Sequence, residues 1–287
     1  MAIKKTELYS SLWASCDELR GGMDASQYKD YVLTMLFMKY VSDKAKHDTF
    51  AMIDVPEGAS FDDMVALKGK PNIGEGIDKI IARLAEENDL KSVIDIAEFN
   101  DEDKLGKGKE MVDRLSKLVA IFEDIDLSGN RADGDDLLGD AYEFLMRHFA
   151  TESGKSKGQF YTPAEVSRVV ASVAGVRRAT SPRQTVYDPT CGSGSLLLKV
   201  AGEAPNGLTL YGQEKDVATK GLAVMNMWLH GYPEASIEGK NTISSPQFTE
   251  NGQLKRFDFV VANPPFSVKN WDSGIVPLDD EYNRFRG

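Results

Sequence analysis

From residue 163 onward, short runs of strand-forming residues alternate with helix-length segments. No other feature of the chain restricts its fold as much. TVYDP (185–189), LTLYGQE (208–214), ASIEG (235–239) and FDFVVAN (257–263) are interspersed with helical segments near 163–175, 193–203 and 216–230. Alternating β and α elements imply a parallel sheet covered by helices. An open sheet of this kind binds ligands beyond the carboxyl ends of its strands. The residues that follow each run are therefore where chemistry is expected.

The first half reads differently. Leu8, Leu12, Trp13, Cys16 and Leu19 recur at three- and four-residue spacing, and Gly21-Gly22 closes that helix. Tyr28, Tyr31, Val32, Met35, Leu36 and Met38 continue the pattern on a second helix, as core rather than as a binding stripe. Further helices are expected at 75–88, 108–122 and 137–150. The polar, Gly-rich stretch TESGKSKG (151–158) marks a boundary or a mobile loop. The expected organisation is an all-helical domain over 1–152 followed by an α/β domain over 153–287.

Charge divides at the same place. Residues 153–287 carry 15 Lys+Arg against 13 Asp+Glu, leaving 19 against 32 in residues 1–152 of a chain whose net charge is −11. Duplex affinity comes largely from neutralising phosphates, so the acidic first part is a poor non-specific nucleic-acid binder. Any action on DNA or RNA calls for a partner that supplies much of the grip. The apolar runs are too short to span a bilayer, and the start, MAIKKTELYSSLW, has no signal core. Cys16 and Cys191 form neither a disulfide framework nor a metal motif, which points to a cytoplasmic chain with reduced thiols and no metal. DIDLSGNRADGD (124–135) partly fits a calcium loop, but it ends on Asp135 instead of a bidentate Glu and carries Arg131 at position 8. A solvated acidic loop is the better reading.

Three motifs carry chemistry. DPTCGSGSLLLKV (188–200) follows a strand and opens a helix; Gly192 and Gly194 allow a tight turn and close backbone approach to a ligand. It is neither a P-loop nor a full G-x-G-x-x-G fingerprint. YGQE (211–214) puts Glu214 at the tip of the second strand, where a carboxylate accepts from ribose hydroxyls. Together the two indicate a nucleoside-containing cofactor. The third is Asn263-Pro264-Pro265-Phe266, directly after FDFVVA, whose apolar residues suit a buried strand. A side-chain amide oxygen and the carbonyl of a residue lacking an N–H form a pair of acceptors suited to a planar amine. The prolines hold that pair rigid, and Phe266 can stack on the ring that carries the amine.

DPTCGSGSL, YGQE and NPPF in this order resemble the amino-methyltransferases that use S-adenosylmethionine. GQFYTP (158–163) is similar to the upstream cofactor motif of the N6-adenine subgroup. With the helical leader, including LWASCDELRG (12–21) and LLGDAYEFLMRHFA (137–150), the chain resembles the modification subunit of type I restriction–modification systems over nearly its whole length. The resemblance implies a Rossmann-like S-adenosylmethionine-dependent methyltransferase domain behind an N-terminal helical domain, α followed by α/β. It implies that Asn263 and the Pro264 carbonyl accept from the adenine N6 amine while Pro265 stiffens the pair and Phe266 stacks on the flipped base. Gln159, Phe160, Tyr161, Thr162, Pro163, Gly192, Ser193, Gly194 and Ser195 would hold the cofactor's methionine end, Glu214 its ribose, and Asn241 and Thr242 its adenine, with Asp188 also in the cofactor site.

Its implied partners are a DNA-specificity subunit, a second modification subunit, a restriction subunit with nuclease and translocase activity, and double-stranded DNA gripped through the complex. Family members continue past NPPF with further strands and a helical region. A chain ending at EYNRFRG is therefore expected to be C-terminally truncated, with an incomplete parallel sheet. Two other readings stay open from the residues alone: a methyltransferase of protein glutamine amides, and a catalytically silent fragment that binds cofactor or subunit.

Overall fold

The computed structural model describes residues 5–20, 23–48, 51–125, 127, 131–132, 135–152, 162–265 and 275–285. The chain divides into two compact units, Met1–Gly154 and Lys155–Gly287.

The first unit is helical: α1 (Lys5–Arg20), α2 (Ala25–His47), α3 (Phe61–Val65), α4 (Ile73–Glu87), α5 (Glu102–Leu105), α6 (Lys109–Glu123) and α7 (Leu137–Glu152). The stripe expected on α1 is its buried side, with Leu8, Leu12, Cys16 and Leu19 fully shielded, while Trp13 stays partly exposed against the His148 ring. α2 is buried almost all round over 31–43, because α1, α3, α6 and α7 surround it. A helix enclosed this way must satisfy its polar side chains internally. Thr34 donates to the Ile94 carbonyl, Ser42 accepts from the Phe61 N–H, and Lys39 pairs with Asp43, which also accepts from the Leu127 N–H.

The short elements of this unit, α3, α5, β1 and β2, were not expected. α3 is short and rests on a capping box in which the Ser60 and Asp63 side chains exchange bonds with each other's backbone N–H. Within the acidic stretch, β1 (Arg131–Ala132) and β2 (Asp135–Asp136) pair antiparallel. Gly21, Gly22 and residues 153–158 of the expected boundary lie outside the described residues, although Thr151 and Glu152 complete α7.

The second unit follows the expected alternation: α8 (Ala164–Ala174), β3 (Thr185–Asp188), α9 (Ser195–Glu203), β4 (Thr209–Glu214), α10 (Val217–Leu229), β5 (Ser236–Gly239), the hairpin strands β6 (Thr249–Glu250) and β7 (Gln253–Leu254), and β8 (Phe259–Val260). The sheet order is β5-β4-β3-β8, and every pair is parallel. Side chains alternate across a strand. Val186, Leu210 and Ile237 accordingly join one core with Ala171, Leu197, Val200, Ala223 and Met227 from the helices. The intervening Tyr187 and Tyr211 face an aromatic cluster instead. Tyr187 stacks on Phe257 at 4.5 Å between centroids, and Phe248 meets both tyrosines edge-on.

One expectation is corrected here. The run before Asn263 is not a buried strand: β8 has two residues, Phe259 is half-buried, Val260 is 58% exposed and only Val261 is buried. β8 lies at the sheet edge, with β3 on one side only among the described residues. Asp258, the charged residue in that run, pins the strand start. Its carboxylate accepts from the Thr185 N–H and hydroxyl at 2.8 and 2.9 Å, and these bonds hold its pKa below the usual carboxylate value.

Candidate functional site

At the end of β3 the chain enters the glycine turn. Gly192 and Gly194 have φ of +55° and +80°, in the left-handed region that favours glycine, and Gly194 is the N-cap residue of α9. The turn closes on itself through the Gly194 N–H to the Cys191 carbonyl at 2.8 Å, and onto β4 through the Cys191 N–H to the Gln213 carbonyl at 3.1 Å. From beneath, buried Asn226 donates to the Ser193 carbonyl at 2.8 Å, while the Ser193 and Ser195 hydroxyls bond each other at 3.0 Å. Ser193 and Ser195 are thus buried with their side chains turned inward, and Gly192 is the partly exposed residue of the turn. Burial raises the Cys191 thiol pKa, and the Asp188 and Glu214 carboxyls add to the rise, so the thiol stays protonated.

Asp188 sits under this turn, 1% exposed, accepting from the Thr190 N–H at 2.9 Å. Burial pushes its pKa from 3.8 up to about 7; the Thr190 bonds oppose the rise and the Glu214 charge adds to it. Between those two values the unfolded chain has lost the proton and the folded chain keeps it, so stability falls as pH rises from about 4 to about 7 and is level above. Asp188→Asn keeps an acceptor for Thr190 and does not titrate. Its stability advantage over wild type is expected to open across that window, by at most ~1.4 kcal/mol per pH unit, and then stay constant. Thermal denaturation across the range checks this; a gap that does not change below about pH 7 contradicts a protonated buried carboxyl.

Glu214 ends β4, and both of its oxygens are engaged. Oε2 accepts from the Gly192 N–H at 3.1 Å and Oε1 from the Asp216 N–H at 2.9 Å. Half-buried and locked in orientation, the carboxylate keeps acceptor capacity on each oxygen for a pair of hydroxyl donors. The loop after β5 completes this edge. Thr242 donates to the Pro189 carbonyl, so the loop meets the glycine turn. Asn241 turns its side-chain oxygen back to the Ile243 and Ser244 N–H groups at 2.8 and 3.2 Å. Three segments expected to hold one cofactor therefore converge at the carboxyl ends of β3, β4 and β5.

Asn263 lies just beyond β8, half-buried, and its amide nitrogen donates to the Thr162 hydroxyl at 3.3 Å. That contact joins the NPP motif to the upstream motif across 101 residues and turns the amide oxygen away from Thr162. Pro264 and Pro265 are exposed. Pro163 is the N-cap residue of α8, and its carbonyl accepts from Ser167. Gln159, Phe160, Tyr161 and Phe266 lie outside the described residues.

Sequence reasoning missed Gln213, Asn226 and the Asp280–Arg284 pair, all of which support these loops. A glutamine in mid-strand and an asparagine among apolar residues on α10 were the available signals. Among the described residues, no group of three or more His, Cys, Asp or Glu could hold a metal ion, and no helix is long and apolar enough to cross a membrane.

The sequence and the architecture match known proteins. The family model for N-6 DNA methylase matches residues 133–286, and the HsdM N-terminal domain model matches residues 8–122. The chain is similar to the type I restriction enzyme MpnII methylase subunit of Mycoplasma pneumoniae, 30% identical over 93% of this chain and 60% of that protein. It is also similar to the MjaIX methylase subunit of Methanocaldococcus jannaschii, 27% identical over 96% of this chain and 53% of the relative. It thus spans little more than half the length of these curated relatives. Among solved structures, a type I restriction–modification methyltransferase subunit from Streptococcus thermophilus superimposes with a TM-score of 0.75 at 28% identity, over 92% of this chain and 64% of that one. The fold is a helical region followed by a methyltransferase-like domain with a parallel sheet. On a match that covers more than half its length, with an HsdM N-terminal domain ahead of it, the chain belongs to the N-6 DNA methylase family.

Proposed function

We propose that the second unit binds S-adenosylmethionine across the carboxyl ends of β3, β4 and β5, and that the protein transfers its methyl group to the N6 amine of adenine in double-stranded DNA. The observation that carries this reading is Asn263, held through its amide nitrogen by Thr162 on the α/β unit whose glycine turn is locked to Glu214. The residues fit the cofactor. A fixed carboxylate with spare acceptor capacity suits the ribose diol, and the turn that Gly192 and Gly194 make possible suits the methionine end. Asn241 and Thr242 stand beside the turn where the adenine would lie, and Thr162 and Pro163 border the site from the upstream side.

The cofactor supplies an electrophilic methyl group on a sulfonium. The protein orients the nucleophile. Asn263 Oδ1 and the Pro264 carbonyl accept the two amine hydrogens, which keeps the nitrogen lone pair directed at the methyl. Pro264 and Pro265 restrict backbone motion, so little reorganisation accompanies the charge that develops on the amine. Phe266 stacks on the extruded base. No covalent enzyme intermediate is needed. The match to N-6 DNA methylases favours an adenine amine over a protein amide.

In this reading the protein is the cytoplasmic modification subunit of a type I complex, working with a DNA-specificity subunit, a second modification subunit and a restriction subunit. The acidic first unit then contacts protein, and the specificity subunit grips DNA. The test is calorimetric titration with S-adenosylmethionine, followed by transfer of labelled methyl to duplex DNA in the presence of the specificity subunit. Saturable binding and label recovered as N6-methyladenine are expected. Label in protein, or no binding of the cofactor, would overturn the proposal.

A further inference from the structure

We propose that Gln213 is a positioning residue for the cofactor's adenine, acting with Arg284 to set the 240–247 loop from two sides; this rests on the cofactor reading above. Gln213 precedes Glu214 on β4, and neighbours on a strand point to opposite faces. Glu214 is turned to the glycine turn, and Gln213 to the loop. The Gln213 side chain is fully buried, and such a carboxamide needs partners for two N–H groups and two lone-pair positions. It finds them in the loop and beside it. Nε2 donates to the Lys240 carbonyl at 3.1 Å and to the Ser245 carbonyl at 3.0 Å, while Oε1 accepts from the Gln247 N–H at 3.1 Å and the Tyr187 hydroxyl at 3.4 Å. One side chain therefore joins both ends of the loop.

The loop needs such an anchor. It leaves β5 through Lys240, a non-glycine residue at φ +82°, which is a disfavoured conformation that persists only where its surroundings enforce it. From the other side Arg284 donates to the Thr242 carbonyl at 3.2 Å and the Ile243 carbonyl at 2.6 Å, and its charge is balanced by buried Asp280. The carbonyls of residues 240, 242, 243 and 245 are thus all held by two side chains distant in sequence. Surface loops usually offer such groups to water. Here the loop is set before any ligand arrives, which lowers the ordering cost of binding. The strand end that carries the ribose carboxylate also sets the adenine loop.

The experiment compares the affinity of wild type, Gln213→Leu and Arg284→Gln for S-adenosylmethionine and for its analogue in which the adenine 6-amino group is replaced by a carbonyl. Wild type is expected to prefer the adenine form. Gln213→Leu should lose about tenfold in affinity for S-adenosylmethionine, the scale of one or two hydrogen bonds, and the preference between the two bases should collapse. Arg284→Gln, which leaves the buried amide in place, should show the same collapse with a smaller loss and serves if the Leu variant does not fold. Equal proportional losses for both ligands would mark a merely structural role and overturn the proposal, as would unchanged S-adenosylmethionine affinity in either folded variant. Absence of cofactor binding by wild type would overturn the function proposed above instead, so the two failures are distinguishable.

Discussion

Asn263→Ala is expected to slow methyl transfer by at least about a hundredfold, the scale on which loss of one preorganised hydrogen-bonding group acts in other enzymes. Its affinity for S-adenosylmethionine should stay within about threefold of wild type, because hydrogen bonds that orient substrate act mainly on the chemical step. The structure supports that separation. The Asn263 amide nitrogen is bonded to Thr162, its oxygen points away, and neither atom is bonded to the glycine turn, Glu214 or the 240–247 loop in the contacts described above. Asn263→Asp keeps an acceptor while exchanging the Thr162-facing N–H for an oxygen, and should retain part of the activity. Single-turnover methylation alongside calorimetric titration separates these effects. If Asn263→Ala loses cofactor affinity as steeply as rate, the residue belongs to the cofactor pocket and the assigned role is wrong.

Gly194→Val is expected to have the opposite signature: loss of cofactor binding by at least about a hundredfold, with a lower melting temperature. At φ +80° a β-branched residue is a genuine outlier, and the left-handed backbone alone costs about 1–2 kcal/mol. A Cβ built there would stand 2.5 Å from the Met227 methyl, in the core, adding an overpacking cost of order 1–3 kcal/mol. The Met227 methyl ends a flexible side chain and can shift, but the backbone cost is relieved only by moving the turn, and moving it breaks the Gly192–Glu214 and Asn226–Ser193 bonds that hold it. Gly202→Ala on the same helix is the control. Nothing lies within 4 Å of its added Cβ, so binding should be unchanged and stability level or slightly raised. Wild-type affinity in Gly194→Val would show that the turn does not shape the pocket.

Much of this could be read from residues in order. The helices expected at 75–88, 108–122 and 137–150 are α4, α6 and α7 within two residues at each end, and the four strand runs are β3, β4, β5 and β8. Periodicity is a local property, set by the 3.6- and 2-residue repeats of backbone geometry, so a single sequence exposes it. The short elements escaped. α3 is carried by a reciprocal cap, and the hairpins β1–β2 and β6–β7 have strands of two residues each, too few to display a period. The run at 257–261 failed for a different reason. Its apolar character was read correctly, but burial depends on neighbours, and β8 lies beside β3 at the edge, although β5 precedes it in the chain.

The candidate site divides in the same way. Its residue types and order, D-P-x-C-G-S-G, the strand-end Glu214 and Asn-Pro-Pro, are chemical statements that the chain makes by itself, because an amide beside a proline carbonyl is a double acceptor wherever it stands. Their mutual arrangement comes from contacts distant in sequence. Strand order brings Thr162 to Asn263 across 101 residues, Gly192 to Glu214 across 22, and Arg284 to Thr242 across 42. Asp188 lies beneath the turn, because its position on β3 points its side chain inward. Gln213 read as an ordinary member of YGQE until its partners from the strand and the loop were brought around it. The sequence by itself determined which elements form and which chemistry they carry, since both are set by covalent structure and local repeats. Only the tertiary structure decided which carboxyl is buried beneath the turn, which one is fixed at the strand end and which side chains hold the loops, since those depend on a packing order that single-chain periodicity does not encode.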